Sequence, residues 1–442
     1  MSMNNLQEIE RALSARWPET KIDPTLERIA LLVDYLGSPQ QSYPNIHIAG
    51  TNGKTSTSRI IDSLCQELGL RTGRFTSPHL ESILERIAIN GSPIDELTLV
   101  KYYREIEPYI PLVDARMSHP LSFFEVMTAL AFVTFAEFPV DVGIFECGMG
   151  GEWDSTNVID SKVAVLTPIG FDHMEYLGNT LVEIANTKSG IIKEGEFAVL
   201  ARQERDAAQV LLKRCAMMNA TPLREGIEYE VVKRDIAVGG QLLTIRGIYG
   251  IYEDLFLPLH GKHQSSNAAT ALAAVEVFAG EKQLSNEIVS SAFANATSPG
   301  RCEIISREPT IIIDAAHNPH GAISLKQTLT GEFSFEKIIL VFAAMADKDI
   351  PGFLGEMQPI VDELIITKNS SPRSADIEQV KQFASGIFKD TQIYTARNLE
   401  EALQQAKSRA SEMQEGSSVA ILVTGSVVTA GEMRSLVKRK GQ

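Results

Sequence analysis

The chain has 442 residues, of which 44% are hydrophobic and 22% charged, and this length predicts two domains with apolar cores. Its formal net charge of −15 argues against a nucleic-acid binder and against a binder of anionic membranes, because both need a cationic surface. The four cysteines show neither CxxC nor zinc-site spacing, and no apolar segment is long enough for a signal sequence or a membrane span. We therefore expect a soluble cytoplasmic protein with reduced thiols.

Apolar runs alternate with helical patterns from residue 45 to about residue 200, which predicts a mostly parallel sheet covered by helices. Residues 223–259 combine β-branched stretches with Gly-Gly turns and predict an antiparallel patch at the edge of that sheet. The segment TSPGR at 297–301 predicts a linker, after which strand patterns such as TIIIDAA and VAILVTG restart. We place a P-loop α/β domain at 1–297 and a smaller Rossmann-like α/β domain at 298–442.

The stretch HIAGTNGKTST joins a short apolar run to a glycine-rich turn and a helical pattern, which is the order of a phosphate-binding loop. Gly50 and Gly53 allow a tight turn whose N–H groups face an anion, and the following helix adds the positive end of its dipole. Lys54 would reach the outer phosphates, while Thr55 and Ser56 offer hydroxyls to phosphate or Mg²⁺. The loop is a shortened variant, and the alternative is a plain strand-to-helix turn with a solvated lysine.

Acidic and histidine residues follow several predicted strands, where ligands bind in parallel sheets. Glu146 ends one strand and is a candidate Mg²⁺ ligand, and Asp172 and His173 follow the next strand. In the second half, Asp314 and His317 follow TIII at an edge where a ribose or phosphate could bind. Each residue also has a structural alternative: hydrogen bonding to the glycine turn for Glu146, packing for the histidines and turn capping for Asp314.

Four further residues are unremarkable by themselves. Lys188 would be a solvated lysine, and Ser77 lies in a loop that the following proline restricts. Asn267 starts a predicted helix and could be an N-cap. Arg301 follows Pro-Gly in the predicted linker, where its planar fork could reach a phosphate.

Taken together, these stretches resemble folylpolyglutamate synthase and dihydrofolate synthase of the Mur ligase superfamily. The resemblance runs from about residue 23 to residue 426 and is carried in order by many motifs. These motifs are GTNGKTS, TSPHL, ERIAING, SFFE, ECGMGGEWDSTN, TPIGFDH, KSGIIK, HQSSNAATAL, PGR, DAAHNPHG and DKD.

The resemblance and the phosphate loop together define the predicted site residues. The predicted metal ligands are Thr55, Ser77, Glu146, His173 and a carbamylated Lys188. The predicted ATP contacts are Asn52, Gly53, Lys54, Thr55, Ser56, Asn267, Arg301, Asp314 and His317. The predicted pterin or folate contacts are Ser122, Phe123 and Phe124. The predicted catalytic residues are Lys54, Glu146, His173 and Lys188, and Lys348 has a supporting role. Carbamylation would turn a cation into an anionic oxygen ligand, which suits Mg²⁺.

The resemblance implies an ATP-dependent ligase that adds L-glutamate to dihydropteroate and to reduced folates through an acyl phosphate, with Mg²⁺ as cofactor. We expect a bifunctional enzyme that acts as a monomer. The alternatives are an enzyme that only extends folate tails and a Mur-type ligase of cell-wall precursors. A nucleotide-binding regulator is the alternative from another class, although a guanine-reading NKxD loop is missing from any suitable strand end.

Overall fold

The computed structural model describes residues 5–17, 23–412 and 418–440. The chain divides into two compact units. The first comprises Met1–Ala237, Gln241–Pro258 and Ser265–Thr297, and the second comprises Val238–Gly240, Leu259–Gln264 and Ser298–Gln442. The assignment of an ATP-binding domain and a C-terminal domain to the two sides of position 297 stays a prediction.

The first unit contains a mixed sheet of eight strands. These are β1 Asn45–Ala49, β2 Thr72–Phe75, β3 Ile87–Ile89, β4 Ser92–Pro93, β5 Val142–Glu146, β6 Ser161–Leu166, β7 Phe197–Leu200 and β8 Thr221–Arg224, in the order β4-β3-β2-β5-β1-β6-β7-β8. Strands β2, β5, β1, β6, β7 and β8 run parallel, and β3 pairs antiparallel with both β2 and β4. Strands β5 and β1 are neighbours inside the sheet, and both are buried along their whole length. Ligands of such sheets bind outside the carboxyl ends of the strands, so we expect the site there.

The helices of this unit follow the predicted alternation. They are α1 Leu6–Ser14, α2 Glu27–Tyr35, α3 Lys54–Glu67, α4 Glu96–Ile106, α5 Ile110–Asp114, α6 Phe123–Glu137, α7 Met174–Leu177, α8 Leu181–Ser189, α9 Arg205–Met217, α10 Lys262–Phe278 and α11 Asn286–Ala294. A buried ion pair joins α3 to β2, because Arg74 Nε donates to Asp62 Oδ2 at 2.8 Å. The first residues of α10 belong to the second unit.

The antiparallel patch is not at the edge of the main sheet, so that part of the prediction is wrong. Strands β9 Glu230–Ala237, β10 Gly240–Arg246 and β11 Ile251–Leu257 form a separate three-stranded sheet, and the edge strand of the main sheet is the parallel β8. Leu243, Ile245, Leu255 and Leu257 are buried, and β11 packs against α11. Short connections favour pairing of these strands with one another. Packing against α11 buries their apolar side chains, so the small sheet is stable without pairing to the main sheet.

The second unit is a smaller α/β fold, as the restart of strand patterns predicts. Its strands are β12 Glu303–Arg307, β13 Thr310–Ile313, β14 Lys337–Phe342, β15 Glu363–Ile366, β16 Gln392–Thr395 and β17 Val419–Thr424, in the order β12-β13-β17-β14-β15-β16. Its other helices are α12 Pro319–Glu332, α13 Ile350–Met357, α14 Ile377–Ile387, α15 Leu399–Ser411 and α16 Val427–Lys440. The sheet is parallel except for β12, which pairs antiparallel with β13.

Candidate functional site

The glycine-rich loop lies between β1 and α3 and is held by the segment that follows β6. A Cβ atom on Gly50 would lie 1.9 Å from Thr167 Oγ1, so only glycine fits there. The Thr51 amide donates to the Pro168 carbonyl at 3.0 Å, and Thr51 Oγ1 lies 3.0 Å from both the amide nitrogen and the carbonyl oxygen of Gly170. Sequence analysis did not identify this support, because it joins positions more than a hundred residues apart.

Gly53 and Asn267 lie in direct proximity. Gly53 has a φ of 90° immediately before α3, and a Cβ atom there would lie 2.5 Å from Asn267 Oδ1. Asn267 is not an N-cap, because α10 begins at Lys262 and Asn267 lies in its second turn. The helix starts earlier because Gly261, with a φ of 101°, provides the turn that precedes it. The structure therefore brings this predicted ATP contact to the phosphate loop.

Two lysine side chains converge on the Gly50 carbonyl oxygen. Lys54 Nζ donates to it at 3.1 Å and Lys188 Nζ at 2.9 Å. Lys188 is buried, so it is not the solvated lysine that its local sequence favours. Burial lowers the pKa of Lys188 to about 7, and the charge of Lys54 acts in the same direction. Near neutral pH, a large share of Lys188 is therefore an uncharged amine.

Glu146 contacts the helix of the phosphate loop. Thr55 Oγ1 donates to the two carboxylate oxygens of Glu146 at 2.8 and 3.0 Å, and Glu146 is buried. Strand register brings Ser77 to the same edge, because Phe75 pairs with Phe145 in the parallel ladder of β2 and β5. Ser77 is half-buried in the loop that follows β2. Two of the predicted metal ligands, Ser77 and Glu146, thus lie at neighbouring strand ends, and Thr55 meets Glu146 from the start of α3.

His173 follows β6 at this edge, as predicted. It has a φ of 50°, and its amide donates to Asp172 Oδ1 at 2.9 Å. Its Nε2 atom lies 3.9 Å from the same oxygen, and the imidazole is partly exposed. The left-handed backbone and the adjacent Asp172 carboxylate therefore fix the position of His173 within its own loop.

The oxygen atoms at this edge fit Mg²⁺ only if phosphate supplies further ligands. Within the described ranges, no group of three His, Cys, Asp or Glu side chains is arranged to hold a metal ion. The Glu146 carboxylate and the Thr55 hydroxyl are the oxygen donors that Mg²⁺ prefers, and Mg²⁺ commonly keeps phosphate oxygens among its ligands. Lys188 as an amine is a poor ligand for this ion, whereas a carbamate would add oxygen atoms.

The predicted pterin residues begin α6, close to the same edge. Ser122 caps the helix and forms a capping box with Glu125. A Cβ atom on Gly148, two residues after Glu146, would lie 2.7 Å from the Phe124 ring. The Arg86 guanidinium lies 4.8 Å from the centre of the Phe123 ring. The aromatic pair therefore lies beside the glycine turn that follows β5.

A buried polar network below this turn was missed by sequence analysis. Asp154 accepts hydrogen bonds from the Met149 amide at 2.9 Å and from the Thr156 hydroxyl at 2.6 Å. Because that hydroxyl donates to Asp154, the His47 Nε2 atom 2.7 Å away must be the donor to Thr156. Burial lowers the pKa of His47 to about 3, so it is neutral. A histidine inside the apolar run before the phosphate loop was the available signal.

The predicted ATP residues of the second unit also lie together. Asp314 follows β13 and accepts hydrogen bonds from the amides of Cys302 and Ala316, both at 2.7 Å. Burial raises the pKa of Asp314, while the charges of Arg301 and His317 oppose that rise. Asp314 therefore caps its turn, which is the structural alternative, and its neighbours Arg301 and His317 are the residues that the resemblance groups with it.

Comparison with known proteins agrees with the geometry of both units. The Mur ligase middle domain matches residues 48–275, and the Mur ligase glutamate ligase domain matches residues 300–427. The dihydrofolate synthase/folylpolyglutamate synthase of Mycobacterium tuberculosis is 46% identical over 99% of this chain and 95% of the relative. The chain belongs to this family. It is therefore an ATP-dependent ligase that forms amide bonds.

Solved structures of family members match the whole chain. Folylpolyglutamate synthase of Mycobacterium tuberculosis, complexed with ADP and AMPPCP, superposes with a TM-score of 0.94 at 47% identity and covers 98% of both chains. The Escherichia coli enzyme in complex with DHPP and ADP superposes with a TM-score of 0.87 at 28% identity and covers 100% of both chains. Among the residues placed in the structure, no helix of this ligase is long and apolar enough to cross a bilayer.

Substitution Gly53→Ala should weaken nucleotide binding. The added methyl group would clash with Asn267 and strain the backbone at the start of α3, displacing the loop N–H groups from the phosphates. We expect ADP to bind at least about tenfold more weakly, which calorimetry can measure. Gly37→Ala is the matched control, because Gly37 has a φ of 77° but no atom within 4 Å of the added carbon. Equal ADP affinity in both variants would contradict the assigned loop geometry.

Proposed function

We propose that this ligase adds L-glutamate to dihydropteroate, forming dihydrofolate, and to reduced folates, forming poly-γ-glutamates. The observation that carries the proposal is the juxtaposition of the phosphate loop, Glu146 and the aromatic pair Phe123 and Phe124 at one sheet edge. The printed names of the relatives, and the DHPP and ADP bound to the Escherichia coli enzyme, support the same substrates.

The reaction begins when the substrate carboxylate attacks the γ-phosphorus of ATP, forming an acyl phosphate and releasing ADP. The backbone N–H groups of residues 53–56, at the start of α3, and the Lys54 ammonium stabilise the phosphate charge during transfer. The amine of glutamate then attacks the acyl carbon, the tetrahedral intermediate loses phosphate, and the nitrogen loses a proton. Closure of the site would exclude the water that hydrolyses an acyl phosphate.

We propose that Mg²⁺ binds at this edge of the sheet. Thr55, Ser77, Glu146 and His173 would hold it, together with phosphate oxygens and a carbamylated Lys188. When bound, Mg²⁺ would neutralise charge on the phosphates. The buried, partly uncharged Lys188 amine supports carbamylation, because CO₂ reacts with a neutral amine.

The remaining site residues belong to the same proposal. Asn52, Asn267, Arg301, Asp314 and His317 would contact ATP, as the resemblance implies, and Lys348 would support them. Ser122 would lie with Phe123 and Phe124 at the pterin site. We also propose a cytoplasmic monomer that binds no nucleic acid, which the negative charge and the four buried free cysteines support.

The proposed substrates can be tested by phosphate release from ATP with Mg²⁺ and glutamate. Dihydropteroate, tetrahydrofolate and a Mur precursor serve as separate acceptors, and mass spectrometry identifies the products. We expect a mass gain of one glutamate on both pterin compounds. Gain on tetrahydrofolate alone would identify a tail-extending enzyme, whereas gain on neither pterin would overturn the proposal. Retained nucleotide binding without any product would favour a regulator.

Carbamylation of Lys188 should depend on pH in a defined direction. The pKa of Lys188 is lowered to about 7, so the neutral amine that reacts with CO₂ increases as the pH rises through 7. In ¹³C-bicarbonate at constant dissolved CO₂, we expect a carbamate NMR signal that grows from pH 6 to pH 8. The signal should be missing in Lys188→Ala, and short carboxylates should partly restore the activity of that variant.

Lys213→Ala is the control for that experiment, because Lys213 is an exposed lysine on α9, away from the phosphate loop in sequence. It should keep both the carbamate signal and full activity. Full activity of Lys188→Ala without added carboxylate would contradict the proposed role of Lys188 in the metal site.

A further inference from the structure

Arg59 lies on α3, one helical turn after Thr55. Residues four apart share a helix face, and helical side chains lean toward the N-terminus, so Arg59 extends back over the turn that contains Thr55. The Thr55 hydroxyl contacts Glu146, and α3 packs against β5 and β2.

The electrostatic surroundings place Arg59 beside the acidic end of β5. Burial lowers the pKa of Arg59 to about 10, and the charge of Arg74 acts in the same direction. The carboxylates of Glu85, Asp62 and Glu146 oppose that shift. The guanidinium is half-buried and still carries its charge at neutral pH.

The nearby carboxylates are already engaged by other donors. Asp62 accepts hydrogen bonds from Gln66, Thr72 and Arg74. Glu85 accepts from the three backbone amides of residues 80–82, at 2.9 Å each. Across the described part of the chain, Arg59 makes no hydrogen bond and no ion pair. The protein thus holds a half-buried guanidinium whose donors are unused, next to the proposed acyl-transfer site.

Arg74 is a second arginine in this region with an unused hydrogen-bond donor. It is buried, and its Nη1 atom has no hydrogen-bond partner among the residues that the structure describes. Only its Nε atom is bonded to Asp62. Asp62 is thus engaged by Arg74 and two other donors, and the Arg59 guanidinium makes no hydrogen bond to it.

We propose that Arg59 binds the carboxylate of the acyl substrate, the group that becomes the acyl phosphate. This proposal rests on the proposed function and adds a substrate-binding residue to it. The planar guanidinium matches a carboxylate with two parallel hydrogen bonds, and it holds the attacking oxygen beside Glu146 and Thr55. Lys54, at the first position of α3, remains with the phosphates of ATP.

The test compares binding of dihydropteroate with binding of its primary carboxamide, measured by calorimetry in the presence of ADP. The wild-type protein should prefer the carboxylate by about tenfold or more, as a charge-assisted pair provides. Arg59→Gln should remove that preference while leaving carboxamide affinity and ADP affinity within about twofold. Arg59→Lys should keep part of the preference, because it keeps the charge but not the fork.

Arg205→Gln is the matched control, because Arg205 is an exposed arginine near the start of α9. It should behave as the wild-type protein does. The proposal fails if the wild-type protein binds the acid and the amide equally. It also fails if Arg59→Gln weakens binding of the acid and of the amide equally, or if this variant still prefers the acid. Unchanged ADP affinity would show that the variant is folded. Binding of neither pterin compound to wild-type protein would overturn the proposed function itself.

Discussion

The site depends on two lysines that donate to one backbone oxygen. Lys54 and Lys188 both reach the Gly50 carbonyl, and they do so beneath a loop where no Cβ atom fits. Two ammonium groups at this separation repel in a buried environment, so one of them must be neutral, modified or paired with an added anion. ATP phosphates can pair with Lys54 near the loop surface, and carbamylation can convert the buried Lys188. The repulsion between these two lysines is therefore consistent both with a nucleotide site at Lys54 and with a modified, metal-supporting Lys188.

Close packing places the other groups around these lysines. Thr167 touches the position that a Gly50 side chain would occupy, and Asn267 does the same at Gly53. The Phe124 ring likewise occupies the space that a side chain at position 148 would need, two residues after Glu146. Each contact needs a glycine because another chain segment occupies the space of a side chain. The phosphate loop, the acidic strand end and the aromatic helix start are thus positioned by neighbouring segments, and the Arg59 guanidinium on α3 interacts electrostatically with Glu146 at the acidic strand end.

The sequence predicted the parallel sheet, both units and the strand-end positions of Glu146, His173 and Asp314, because hydrophobic periodicity and glycine turns are local signals. It did not predict that the hairpin strands form a separate sheet, since pairing partners depend on packing with α11. It also placed Asn267 at a helix start instead of in the second turn. The burial of Lys188 depends on contact between distant segments, so no local pattern could reveal it, and His47 inside an apolar run was the one local signal for the network below the glycine turn. The roles of the site residues remain predictions.

The most direct test of the account follows oxygen from the acyl substrate. Dihydropteroate carrying ¹⁸O in its carboxylate would be incubated with ATP, Mg²⁺ and glutamate, and the released phosphate would be analysed by mass spectrometry. An acyl phosphate that glutamate attacks at carbon leaves one labelled oxygen in each phosphate, and the account predicts that result. Phosphate without label, released in proportion to amide formation, would contradict it.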